Sequence, residues 1–305
     1  MNKVFVGNDA AYQQLQNYLN MERPGPLILS GKKGTGKRLA ARELCRELLG
    51  CEDDRLEMQP DFYLLDKDGD SIKVDDVAAI LKKSEIAALG NRKVFLILGA
   101  DRMNEQAQNK LLKLLEDRNR TNTVIMLCEE NVLLPTIQSR CLSIRFTSLP
   151  PDEMKDYLKG QGIGEEDLDL FGFLCNNCPY RAGEVREYFC SLRDTHRQIL
   201  SIRERRELLS ILHLVREKDP EEFCTVHNGH FDAALSMLHF TFLRLLEERC
   251  GILPKQARGT VPSFSGQYST QEALLICASI GLHKTMYKNG IYSKNDFFDL
   301  ARVMV

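Results

Sequence analysis

The chain has 305 residues, 43% hydrophobic and 28% charged, with a formal net charge of −2. That composition describes a globular chain long enough for more than one core, and the near-neutral charge leaves no overall positive field to draw it to nucleic acid. No apolar run reaches the ~18 residues that span a bilayer, the N-terminal stretch Met1 to Gly7 has no secretory apolar region, and ten cysteines lie scattered in apolar runs, so a cytoplasmic protein without a disulfide framework is expected.

The first half alternates strand-like and helix-like segments. Leu27-Ile28-Leu29 is a short apolar run entering a Gly-rich turn, and Lys37 to Leu49 follows with helical spacing at Leu39, Ala40, Leu44 and Leu48. Phe62 to Leu65 predicts a second strand and Asp75 to Ile86 a helix. Val94 to Leu98 is continuously apolar, as in a strand buried on both faces of a parallel sheet. Asn104 to Asp117 predicts a helix with Ala107, Leu111, Leu112, Leu114 and Leu115 on its apolar side; Val124 to Leu127 and Leu142 to Phe146 predict the last two strands. This alternation argues for a doubly wound α/β domain ending near Thr147.

Beyond Leu149-Pro150-Pro151 strand signals nearly vanish. Short helical stretches fill the chain to about Ser191, and longer ones are expected over Gln198–Glu217, Phe231–Cys250, Glu272–Tyr287 and Asp296 to the end, with Pro254 to Ser269 as a Gly-, Ser- and Pro-rich loop. The expected division is residues 1–147, an α/β nucleotide-binding-like domain; 148–192, a small helical lid; and 193–305, a C-terminal helical collar.

Gly31-Lys32-Lys33-Gly34-Thr35-Gly36-Lys37-Arg38 follows a strand and opens a helix, with the spacing of a phosphate-binding loop. Glycines allow backbone N–H groups to point at phosphate oxygens, the helix N-terminus adds partial positive charge, and Lys37 would reach the outer phosphates. The last position is wrong: a Ser or Thr hydroxyl normally coordinates Mg²⁺ there, whereas Arg38 has no acceptor, and Thr35 comes three positions early. Gly31, Gly34, Thr35, Gly36, Lys37 and Arg38 therefore form a candidate nucleotide loop whose occupancy stays open. P-loop ATPases also place an Asp at the end of a second buried strand for the Mg²⁺ shell, and many add a Glu to activate water. Here that strand runs into Leu98-Gly99, and Asp101, two residues on, reads as a surface or capping residue.

Several segments resemble the AAA+ subunits of the bacterial sliding-clamp loader. Phe5-Val6-Gly7-Asn8 is similar to that family's N-terminal box, Gln59-Pro60-Asp61-Phe62 to its "H-P-D" strand entry, and Ile72 to Val77 to the segment after it. Ala107 to Glu116 is similar to its "A-x-N-A-L-L-K-x-L-E-E" helix, and Ser139-Arg140-Cys141 to its Ser-Arg-Cys triplet. The resemblance covers about the first 190 residues. It implies an AAA+ P-loop domain followed by helical lid and collar domains, and the decayed ATPase positions resemble the non-hydrolysing delta-prime type; an ATP-hydrolysing gamma/tau type is the alternative. It further implies that Arg140 acts in trans on a neighbour's ATP. The implied partners are gamma/tau-type and delta-type subunits, with the sliding clamp and primer-template DNA met through the assembly. No cofactor is required, and ATP or ADP would be held weakly at most.

Three departures stand out. Only Cys45 and Cys51 lie where the family often has a Cys-rich zinc module, Asp117-Arg118-Asn119 replaces a Pro-Pro, and Cys128-Glu129 occupies the sensor position after the fourth strand. Cys175, Cys178, Cys190 and His196 look zinc-like in spacing, but the helical character between Tyr180 and Cys190 argues for thiols, and no metal is expected. Lys32-Lys33 and Lys82-Lys83 are expected on solvated faces rather than on DNA. A free-standing DNA-binding regulator would need a helix-turn-helix or basic patch, and neither is evident.

Overall fold

The computed structural model describes residues 1–51, 55–116, 121–129, 132–208, 229–253, 259–289 and 294–304. They fall into two compact units: Met1–Met154 with Cys178–Arg181, and Lys155–Asn177 with Ala182–Val305.

The first unit is a five-stranded parallel sheet between helices. Its strands are β1 (Leu27–Ser30), β2 (Phe62–Leu65), β3 (Lys93–Leu98), β4 (Asn122–Cys128) and β5 (Leu142–Arg145), in the order β2-β3-β4-β1-β5. β1 pairs with both β4 and β5, Leu27 lying opposite Ile125 and Leu142. The helices are α1 (Asp9–Leu19), α2 (Lys37–Leu49), α3 (Val74–Ser84), α4 (Glu105–Leu115) and the single turn α5 (Pro135–Gln138). Period-2 alternation sorts the strand residues into two cores. Leu27, Leu29, Leu96 and Ile125 pack with α1 and α2, while Ile28, Phe95, Ile97 and Val124 pack with α3 and α4. Every residue of β1 and β3 is buried, which is why both are apolar apart from Ser30 at the end of β1 and Lys93 at the start of β3, whereas the edge strands β2 and β5 keep exposed positions.

Two motif residues have structural reasons. Asp61 is buried at the entry to β2, where its carboxylate accepts from the backbone N–H groups of Leu89 (3.1 Å) and Gly90 (2.7 Å). The Asn104 side chain caps α4 by accepting from Ala107 N–H at 2.8 Å. Lys93, also buried, donates to the carbonyls of Lys83 (2.8 Å) and Ile86 (2.7 Å), satisfying acceptors around the end of α3.

The second unit is helical: most of α6 (Pro151–Gly160), then α7 (Leu168–Leu174), α8 (Ala182–Ser201), α9 (Gly229–Arg249), α10 (Thr270–Lys288) and α11 (Lys294–Met304). Phe171 meets Phe189 at 4.5 Å between ring centres, and Phe173 meets Phe240 at 5.3 Å. Ser269 caps α10 reciprocally with Glu272, whose carboxyl is pulled down to about 2, chiefly by the Ser269 backbone N–H and hydroxyl. One expected boundary moves. The helix predicted from Gln198 instead runs from Ala182 to Ser201, because Val185, Phe189, Leu192, His196 and Ile199 continue one apolar stripe at steps of four and three. Residues 209–217 of that predicted helix, 254–258 of the predicted loop and Asp117 to Asn119 lie outside the described residues.

His196 makes a testable pH device of this stripe. It is buried, its Nε2 has no hydrogen-bond partner among the described residues, and burial, helped by Arg197, lowers its pKa to about 4. The unfolded chain takes up this proton at about 6.5, so stability is complete above that pH and is lost as pH falls toward 4, by about 3 kcal/mol in full. His196→Phe should flatten urea-melt stability between pH 7.5 and 5 relative to the parent. An unchanged pH dependence would show that His196 is not charged on unfolding there.

Candidate functional site

The candidate site lies beyond the carboxyl ends of β1, β3 and β4, where strand order reverses and α/β sheets place ligands. The turn after β1 leads into α2 through Gly36, which sits at φ 96° and supplies no side-chain cap to the first amides of the helix. Gly31, Gly34, Thr35, Gly36, Lys37 and Arg38 thus occupy a strand–loop–helix frame of phosphate-loop form. The loop's polar groups, however, satisfy one another. Lys37 is only 8% exposed, and its Nζ donates to the carbonyls of Gly31 (2.5 Å) and Lys32 (3.0 Å). Burial lowers its pKa, against the opposing pull of Glu129, Cys128 and Asp101. The Thr35 hydroxyl donates to Lys32 O at 2.9 Å.

Arg38, at the Mg²⁺-hydroxyl position, turns outward to an ion pair with Asp66 at 3.0 Å, just past β2. Leu98 and Leu127 are register partners at the ends of β3 and β4, so no carboxylate projects from the strand position where a metal-binding Asp would stand. Asp101, expected as a surface or capping residue, is half-buried and ties down a backbone amide. It lies in the turn after β3, its Oδ2 accepts from Glu129 N–H at 3.1 Å, and its Oδ1 is buried without a hydrogen bond among the described residues. It thereby ties the exit of β3 to that of β4. Cys128, opposite Ser30 at the end of β4, is buried, which raises its thiol to about 11 and keeps it neutral.

Three neighbours of the loop carry no signal that spacing alone reveals. The Asn8 side chain donates to Thr147 O at 3.0 Å and accepts from Thr147 N–H at 2.8 Å, and it also reaches Thr35 O at 3.4 Å, which gives the Phe5-Val6-Gly7-Asn8 box a physical role. Tyr180 N–H donates to Gly34 O at 3.1 Å, and its hydroxyl accepts from Val6 N–H at 3.0 Å. At Gly34, φ is 81° and a Cβ would lie 2.5 Å from Arg181 Cγ and 3.3 Å from Cys178 Cβ, so the segment Cys178–Arg181 lies directly against the loop. More than 140 positions separate Gly34 from that segment.

Arg140 stands apart from the loop, following α5. Its guanidinium is 39% exposed, donates through Nη1 to Thr136 O at 3.0 Å, and forms an ion pair through Nη2 with Glu116 at 2.7 Å. Among the described residues no group of three or more His, Cys, Asp or Glu side chains converges as metal ligands; Cys175, Cys178 and His196 are buried and Cys190 is exposed. Lys32, Lys33, Lys82 and Lys83 all lie on exposed positions.

A five-stranded parallel sheet in this order, with a phosphate-loop turn after β1 and a helical second unit, defines the AAA+ class of P-loop proteins. A solved structure of a DNA polymerase III gamma-subunit-related protein from Thermotoga maritima shares the fold over 97% of this chain and 98% of its own, at TM-score 0.51 and 18% identity. Residues 7–150 match the family described as "DNA polymerase III, delta subunit". The chain is 32% identical over 165 residues to DNA polymerase III subunit delta' of Bacillus subtilis, covering 49% of this chain and 50% of that protein. It is 29% identical over 258 residues to the replication factor C small subunit of Methanoregula boonei, covering 82% and 76%. The match to the Bacillus subtilis relative spans about half of that protein's length. Over residues 7–150 the chain is thus similar to clamp-loader subunits of the delta-prime kind, on the AAA+ fold.

Proposed function

We propose that this chain is a non-hydrolysing subunit of the sliding-clamp loader of a DNA polymerase III holoenzyme, completing a ring and supplying Arg140 to the ATP of a neighbouring subunit. The observation that carries this reading is a phosphate loop whose frame is kept while its metal ligands are gone. Arg38 is engaged with Asp66, and Leu98 and Gly99 stand where carboxylates would hold Mg²⁺ and activate water. Self-satisfaction of Lys37 and Thr35, and the segment Cys178–Arg181 against Gly34, support a loop that needs no nucleotide; weakly held ATP or ADP is allowed.

In this reading the partners are gamma/tau-type and delta-type subunits, with clamp and primer-template DNA met through the assembly, in the cytoplasm. No helix among the described residues is long and apolar enough to cross a membrane. The helical half would serve as a lid to about Leu192 and a collar thereafter. Exposed Leu274, Leu275 and Leu282 share one face of α10, whose opposite face is buried through Ala273, Ile276 and Ile280, so the helix is apolar on both sides. A helix of that kind calls for a second packing partner.

The isolated chain should show no ATP turnover above background, because a phosphate loop without metal ligands or an activating carboxylate stabilises little of the transition state. A steady-state phosphate-release assay checks this. Turnover by the pure chain that Lys37→Ala abolishes would support the ATP-hydrolysing gamma/tau reading instead.

A further inference from the structure

The pairing of Arg140 with Glu116 has a use that neither residue type explains alone. Arg140 follows the one-turn helix α5, and Glu116 is the C-cap of α4. These elements come from separate segments of the chain, and Gln108 braces them: its side chain donates to Met103 O at 3.0 Å and accepts from Leu134 N–H at 2.8 Å. The guanidinium is therefore held by Thr136 O in α5 and the Ser139 hydroxyl just after it (3.5 Å), and by the Glu116 carboxylate at the end of α4. Both side chains remain substantially exposed, so the pair contributes little to folding. Its consequence is conformational: a long arginine side chain that would otherwise sample many rotamers is restricted, while 39% of it remains exposed.

We propose that Glu116 is the positioning residue for Arg140, holding its guanidinium ready for the phosphate oxygens of a neighbouring subunit's ATP. The proposal rests on the trans role given to Arg140 above. Preorganisation of this kind acts on the transition state, where the orientation of the guanidinium matters, more than on ground-state nucleotide binding.

The test is a double-mutant cycle in the loader reconstituted with its own partner subunits, reading kcat and KM for ATP. Arg140→Ala should lower kcat strongly. Glu116→Ala should lower kcat about 2- to 5-fold, the range expected of an exposed ion pair, with KM nearly unchanged. Glu116→Gln, which keeps the shape and one acceptor, should recover part of the loss. Glu116→Ala on top of Arg140→Ala should add nothing. Four results overturn the proposal: a silent Glu116→Ala beside a defective Arg140→Ala, additive losses, an effect confined to KM, or no rescue by Glu116→Gln. A silent Arg140→Ala overturns the trans reading itself, and the role of Glu116 with it. If Glu116→Ala impairs assembly, the Glu116→Gln arm of the same cycle decides.

Discussion

Replacing Arg140 by alanine should cripple ATP turnover at one neighbouring site of an assembled loader while leaving the chain folded and in the ring. The expectation follows from charge and exposure together. A guanidinium is always cationic and presents a planar fork of donors, so it can stabilise the charge that spreads over phosphate oxygens during transfer. Arginines that act in this way contribute on the order of 10³–10⁵ in rate at the site they complete. Only one site of several would be affected, so total turnover should fall less than that, and clamp loading should fall with it. Folding should survive because the side chain is 39% exposed and its local partners are one exposed carboxylate, one carbonyl and the neighbouring Ser139 hydroxyl. Arg145, exposed on β5, offers a control of like charge nearby. A loader carrying Arg140→Ala that hydrolyses ATP and loads clamps at the parent rate would leave Arg140 with a purely local role as the partner of Glu116.

The second large effect concerns stability. Gly31→Ala should destabilise the α/β unit by about 3 kcal/mol or more, because two penalties coincide. The backbone there has φ 142°, and a Cβ would fall 2.1 Å from the carbonyl oxygen of Phe146. That oxygen belongs to backbone just past β5, which cannot yield as the end of a flexible side chain can, so β1 and the exit of β5 would have to part. Phe146 N–H also donates to Ser30 O at 2.7 Å, and this bond lies directly beside the clash. Gly25→Ala is the matched control, since a Cβ there meets nothing within 4 Å. Calorimetric melting should show the Gly31 variant lowered by roughly 6–12 °C and the Gly25 variant nearly unmoved. Equal melting of the two would mean that the loop relaxes around the added carbon.

The strands, the helix after the loop and the phosphate-loop frame were legible because each rests on a local pattern. β3 is apolar from Val94 to Leu98 because both of its faces are covered, and α2 begins at Lys37 because Gly36 ends the turn. What was not legible depends on contacts between distant segments. Nothing near Arg38 in sequence announces Asp66, 28 positions away, as its partner. Asp101 was expected as a surface or capping residue, and the sequence could not name its partner, the N–H of Glu129, which a different strand delivers. Tyr180 and Arg181 sit in a helical stretch whose own periodicity says only that it packs, and their placement against Gly34 is a tertiary fact. The helix Ala182–Ser201 was misplaced for a different reason: its stripe was present in the sequence but was divided at the boundary expected near Leu192. The proposed loss of the metal site rests on residue types, Arg38, Leu98 and Gly99, that the sequence displays directly.

In the proposed reading this chain works as one position in a ring and not alone. The most direct measurement is size-exclusion chromatography of the chain co-expressed with the gamma/tau-type and delta-type subunits of its own source. One stoichiometric complex containing the chain is expected, weakened when Leu274 and Leu282 on the exposed face of α10 are changed to glutamate. Elution of the unaltered chain by itself, with the other subunits assembling fully without it, would contradict the account.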